Sequence, residues 1–129
     1  ADLIVLDQFE DLLALGEEML HPKLISTALA DEARSIHYPE LAGVVPGYGR
    51  FTPCPWGLGP EIRGAKSPHW TAPEAPPSTF GHFGVTGSFL WVDPVNEAVG
   101  AFLGERDFGP WHKENWTVLN SALLTVAIG

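Results

Sequence analysis

The stretch Phe80-Gly81-His82-Phe83-Gly84-Val85-Thr86-Gly87-Ser88-Phe89-Leu90-Trp91-Val92-Asp93-Pro94 limits this chain more than any other. Residues 89–92 are apolar without interruption and stop at Asp93-Pro94. Proline cannot donate to a central ladder, so the run reads as a buried strand followed by a turn. A second apolar run over 98–103 comes after the Asp93-Pro94-Val95-Asn96 turn, and the two predict an antiparallel hairpin. Just upstream, His82 and Phe83 lie between Gly81 and Gly84. Glycine has no Cβ, so the backbone there is open to close approach by another group. A polar residue bracketed by glycines beside a buried strand is a place where a site can be built.

The flanks predict helices. Leu3, Leu6, Phe9, Leu13 and Leu20 fall on one helical face, with Gly16 marking the helix end. His21-Pro22 predicts a second helix running to about residue 35, because proline at the first helical position has no N–H to lose. Leu24, Ala28 and Ala33 are its apolar contacts. Residues 113–128 predict a last helix with Trp116, Leu119, Leu123 and Val126 on one face. Between the helices, glycines and prolines break any regular pattern over 37–55. Residues 56–64 alternate large and small and read as a strand. Residues 66–79 hold four prolines and read as a long excursion.

The fold class that follows is α+β: an antiparallel sheet of about three strands with helices packed on it. Residues 1–129 read as a single partial domain. Within it, 1–36 are helical, 37–79 irregular, and 80–129 a β-hairpin with a C-terminal helix. The helical pattern starts at the first residue without a methionine, which predicts a cut or processed chain.

Composition then removes whole classes of function. Sixteen acidic against seven basic residues give a net charge of −9. Nucleic-acid binding rests on Lys and Arg neutralising phosphates, so nucleic acid is not an expected partner. No apolar run approaches the roughly 20 residues of a membrane helix, and no basic segment with a small-residue cleavage site marks a signal peptide. One cysteine, Cys54, excludes an internal disulfide and reads as an incidental free thiol. His21, His37 and His112 are scattered without ligand spacing, so no metal and no cofactor is expected. His69 and Trp70 read as anchors of the proline-rich loop. Glu105, Arg106 and Asp107 read as a solvated turn. Ser88 and His82 lack an orienting carboxylate nearby, so they do not read as a catalytic dyad.

Four pieces occur in one order: Trp56-Gly57-Leu58-Gly59, Lys66-Ser67-Pro68-His69-Trp70-Thr71, Phe80 to Gly87, and Leu90-Trp91-Val92-Asp93-Pro94. Together they resemble the C-terminal portion of β-lactamase-related serine hydrolases, the family of class C β-lactamases, D-alanyl-D-alanine carboxypeptidases and related esterases. Ala1-Asp2-Leu3 also resembles that family's helix beginning Ser-Ala-Asp-Leu. The resemblance covers essentially the whole chain and implies the C-terminal part of a serine β-lactamase-like (penicillin-binding-protein-like) fold.

The family's chemistry uses a Ser-x-x-Lys motif, a Tyr-x-Asn or Ser-x-Asn motif, and a Lys-Thr-Gly or His-x-Gly strand. His82-Phe83-Gly84 matches the third. The resemblance implies that Val85 offers its N–H to the oxyanion, that Gly84 permits close approach, and that His82 polarises or orients the substrate. No serine here is followed three residues later by lysine, and neither Tyr38 nor Tyr48 begins Tyr-x-Asn. The expectation is therefore a fragment that contributes one wall of an acyl-enzyme site and is inactive alone. Its substrates would be small-molecule esters, β-lactams or D-alanyl peptides, and its partner a missing N-terminal chain or another copy. Histidine in place of lysine at the third motif tilts the family reading toward esterase-like or peptidase-like members. The competing expectation is a non-catalytic α+β module for binding or oligomerisation.

Overall fold

The structure is a computed structural model that describes residues 2–129, with side chains from Phe9 onward. Its elements are α1 (Asp2–Leu20), α2 (Thr27–Ala33), β1 (Gly43–Val45), β2 (Gly49–Phe51), β3 (Glu61–Ile62), β4 (Phe80–Phe83), β5 (Phe89–Asp93), β6 (Ala98–Phe102) and α3 (Pro110–Ile128). Four antiparallel strands form the main sheet in the order β3-β4-β5-β6, and β1 and β2 make a separate two-stranded hairpin. No helix among the described residues is long and apolar enough to cross a membrane.

The apolar run at 89–92 is explained by its position. All five residues of β5 are buried, because the strand lies inside the sheet and is covered on both faces. Leu20, Ile62, Phe80 and Val92 form a core on the α1 side. Trp70, Phe89, Trp91, Ala98, Trp116 and Leu124 belong to a larger core on the α3 side. The α+β expectation holds, with four main-sheet strands rather than about three. The expected hairpin is β5–β6, in register from Phe89↔Phe102 to Asp93↔Ala98. Its turn is fastened by Asp93, whose Oδ1 accepts from the Val95 and Asn96 amides at 2.9 and 3.1 Å.

Several boundaries differ from the sequence reading. Gly16 does not end α1; it is buried inside the helix, where a Cβ would collide with Val99 Cγ1 and crowd Leu90. The glycine lets α1 approach the sheet closely. Leu3 and Leu6 lie outside the described side chains. The second helix starts at Thr27 and not at Pro22. Ser26 caps it, accepting from the Leu29 amide at 3.1 Å. Residues 56–64 form a tight turn and not one strand. The Gly57 amide donates to the Pro60 carbonyl at 2.9 Å, and Gly59 takes φ +117°. Glu61–Ile62 joins the main sheet by pairing with β4, and Trp56 makes isolated bridges to His37 and Glu61. The supposedly irregular 37–79 also holds β1 and β2. On α3, His112, Trp116, Asn120 and Leu124 are the buried stripe. Val126, expected inward, is 82% exposed because it falls off that stripe.

One polar chain ties three elements together through the larger core. Trp91 Nε1 donates to Asn120 Oδ1, and Asn120 Nδ2 donates to the Trp70 carbonyl, both at 2.8 Å. Opposite Trp91 in the register stands Gly100. A Cβ at Gly100 would run into the Trp91 indole. Gly100→Val should therefore lower stability by about 1–3 kcal/mol through overpacking. A drop in the urea midpoint at unchanged slope checks this; an unchanged midpoint counts against it.

Candidate functional site

The glycine-flanked histidine sits where the sheet leaves one strand edge open. β4 pairs along its whole length with β5, from Phe80↔Val92 to Phe83↔Phe89. On its other edge, β3 pairs only with Phe80 and Gly81. Among the described residues, the edge from His82 onward has no strand beside it. The chain then turns: the Gly87 amide donates to the Gly84 carbonyl at 3.0 Å, and the Gly84 amide donates to the Ser88 carbonyl at 2.9 Å. Gly87 takes φ +78°, the left-handed position such a hairpin loop requires.

Val85 is 78% exposed at the tip of this turn. Its carbonyl accepts from the Phe108 amide at 2.8 Å, which fixes the peptide from one side. Gly81 must be glycine, since a Cβ there would strike the Leu90 carbonyl. His82, Gly84 and Val85 are thus brought together, and two cavities meet at them. An apolar groove of about 550 Å³ lies between α1, α2 and the sheet, and His82, Gly84 and Ser88 reach it. A cleft of about 490 Å³ opens on the other side, with His82 and Val85 among its lining residues. Trp56 stands edge-on to His82, ring centroids 5.8 Å apart. The Ser88 hydroxyl accepts from the Gly104 amide at 3.0 Å, so it is a fastening of the loop.

Beneath the cleft is a buried charged cluster absent from the sequence reading. Glu61, Lys66, His69 and Thr71 are all buried. Glu61 Oε2 receives Lys66 Nζ at 2.5 Å and His69 Nε2 at 2.8 Å, and Oε1 receives Trp70 Nε1 at 2.8 Å. The Thr71 amide donates to His69 Nδ1 at 3.3 Å. With Nδ1 accepting, the imidazole is assigned as the neutral form carrying its proton on Nε2. His69 and Trp70 do anchor the proline-rich loop, as expected; the anchor point is a carboxylate. The backbone of Glu61 bridges both Gly81 and Trp56, so the cluster holds the two residues flanking His82.

Burial alone would push the Glu61 carboxyl up, but its bonds to His69 and Lys66 outweigh that and hold it well below the usual carboxylate range. Burial pushes the His69 imidazole down, against the pull of Glu61. Burial and the nearby Glu61 charge push Tyr48 up to about 12. Both His69 and Glu61 bind a proton more readily when unfolded, so acid favours the unfolded chain. Stability should be intact above the ordinary histidine value of 6.5 and fall as pH drops below it. A further loss should begin below the ordinary glutamate value of 4.5. Urea midpoints between pH 8 and pH 4 check the sign; a midpoint that rises on acidification contradicts it.

Cys54 is buried, and a Cβ on Gly43 would press on it. Among the described residues, no group of three or more His, Cys, Asp or Glu side chains is placed to hold a metal ion.

No protein-family model and no curated protein matches the sequence. Among solved structures, the chain is similar to a β-lactamase from Mycobacterium bovis, at 41% identity and a TM-score of 0.90. The match covers 93% of this chain and 44% of that one, so the chain spans less than half the length of the protein it resembles. With its helices, antiparallel sheet and this similarity together, the chain has a β-lactamase-related fold.

Proposed function

We propose that this chain supplies one wall of a serine-hydrolase site that works through an acyl-enzyme, as the C-terminal part of a β-lactamase-like domain. The observation that carries the reading is the open edge of β4, where His82 and Val85 face a cleft. A serine outside residues 1–129, in a Ser-x-x-Lys motif, would attack the acyl carbonyl. Its Oγ–C bond forms as the C–O bond to the leaving alcohol breaks, and the alcohol departs with the serine proton. Water then adds to the acyl group and releases the acid and the free serine. The Val85 N–H stabilises the negative oxygen of each tetrahedral intermediate, Gly84 keeps the approach clear, and His82 orients the substrate at the mouth. Glu61 acts at one remove, by fixing Gly81 and Trp56 around His82.

Assaying a chromogenic ester and nitrocefin tests this. A longer polypeptide that joins these residues to the Ser-x-x-Lys segment should turn over the ester, and residues 1–129 alone should turn over neither. Turnover by residues 1–129 alone would refute the assignment of the nucleophile elsewhere.

A non-catalytic association module is the second reading, favoured by apolar side chains around α2. Leu24 is 87% exposed, and Ile25, Leu29 and Ile36 are exposed as well. Sedimentation separates the two: a concentration-independent monomer counts against association.

A further inference from the structure

A third cavity, of about 420 Å³, lies at the start of α3 and shares no lining residue with the two that meet at His82. Small-ligand sites span roughly 300–1,000 Å³. Its apolar walls are Phe102, Leu103 and Trp111, the last two exposed to solvent. The one buried residue of its lining is His112, which is 1% exposed. The Gly109 amide donates to His112 Nδ1 at 3.0 Å, so the ring is assigned as the neutral form with its proton on Nε2. Nδ1 is taken, and among the described residues nothing accepts from Nε2, so Nε2–H is what His112 offers to the cavity. A Cβ at Gly87 would come within 2.5 Å of Nε2, and glycine there keeps the donor uncovered. A buried donor without an acceptor is costly, and a ligand oxygen in the cavity removes that cost.

Charge narrows the ligand. The Arg106 guanidinium stands 5.7 Å over the Trp111 ring, which holds a planar, always-charged donor at the cavity. Among the described residues no carboxylate pairs with it. The N-terminus of α3 adds partial positive charge, because Gly109 at its cap has no side chain to satisfy the first amides. Glu105 is the one anion in the lining, and it is exposed and keeps its water. A single negative charge therefore meets two donors and one hydrated carboxylate. A free phosphate ion would bring a second charge toward Glu105 and leave the apolar walls in water. A neutral ring would cover those walls and leave Arg106 without a partner.

We propose that this cavity binds small aromatic monocarboxylates. The carboxylate is received by Arg106 and by the His112 Nε2–H, and the ring lies against Phe102, Leu103 and Trp111. The site is independent of the acyl-enzyme reading, since neither His82 nor Val85 lines it.

The test is titration of the 129-residue chain with sodium phenylacetate, followed by amide, indole and histidine-ring resonances. Saturable shifts should centre on Gly104, the Trp111 indole and the His112 ring. Phenylacetamide, which keeps the ring and lacks the charge, should bind about tenfold more weakly. Acetate, which keeps the charge and lacks the ring, should also bind more weakly. Arg106→Gln should weaken phenylacetate binding about tenfold, with the near-UV dichroism of a folded chain because Arg106 is exposed. Glu105→Gln, which removes the opposing anion, should tighten it about twofold. Leu15→Gln, in the groove beside α1, should leave it unchanged. The proposal is overturned if no saturable shift appears, if the His112 ring does not respond, or if the shifts collect at His82 and Val85. It is overturned equally if phenylacetamide binds as tightly as phenylacetate, if Arg106→Gln leaves binding unchanged, or if Glu105→Gln weakens it.

Discussion

Lys66→Met should lower the urea midpoint of the chain steeply at neutral pH. The substitution keeps the volume of the side chain and removes its charge. It leaves Glu61 as a buried carboxylate whose remaining partners, His69 and Trp70, are neutral donors. Breaking a buried ion pair from one side costs about 3–5 kcal/mol. Whole domains have only about 5–15 kcal/mol of stability. The pH dependence separates this cause from simple packing loss. In the variant, His69 becomes the only group able to balance Glu61, so its proton is held more tightly in the folded state. The added stability is present below the ordinary histidine value of 6.5 and disappears as pH rises. The variant should therefore gain stability on mild acidification, opposite in sign to the parent chain. A variant whose urea midpoint follows pH just as the parent's does would show that Lys66 matters for shape alone.

The second large effect concerns the proposed chemistry. Val85→Pro should lower kcat of the nucleophile-bearing polypeptide by about 10²–10³-fold, the usual loss for one oxyanion donor. Proline deletes the N–H and little else here. Val85 is the second residue of the Gly84-Val85-Thr86-Gly87 turn, a position where proline is favoured. The fold should persist, and KM should move much less than kcat. Val85→Ala keeps the N–H and should stay within a few-fold of the parent. Equal losses from both variants would place the role in the side chain and remove Val85 from the oxyanion site.

These contrasts depend on parts of the chain that the sequence revealed unevenly. The β5–β6 hairpin is legible because β5 is covered on both faces, so its apolar run is continuous and Asp93-Pro94 ends it plainly. Of the buried stripe of α3 only Trp116 follows from the apolar period; Leu119 and Leu123 pack half-buried beside it, Val126 falls off it, and the buried His112 and Asn120 are polar residues that an apolar period does not register. The misread boundaries share a cause: glycine and proline do more than punctuate. Gly16 sits mid-helix to let α1 meet Val99, and Pro22 precedes a helix that Ser26 caps. In residues 56–64, glycine serves a left-handed turn and not an extended strand.

The Glu61 cluster was hidden for a different reason. Its members are five and eight residues apart in a segment with no helical or strand period, and single charges are ordinarily read as solvated. One signal was present. Glu61 adjoins Ile62, and His69 adjoins Trp70, in a stretch otherwise rich in residues that pack. His82, Gly84 and Val85 were legible as a motif. Their meeting with two cavities, one shared with Val85 and one not, required the packing of α1 and of the β1–β2 hairpin around the sheet.

The central claim is that these residues form one wall of an acyl-enzyme site whose serine lies elsewhere. It is tested most directly by intact-mass measurement after treatment with a serine-reactive alkyl fluorophosphonate. The 129-residue chain should gain no adduct. The longer polypeptide should gain one, on the serine of its Ser-x-x-Lys segment. An adduct on Ser88 or any other serine of residues 1–129 would contradict the account, as would a longer polypeptide that stays unlabelled.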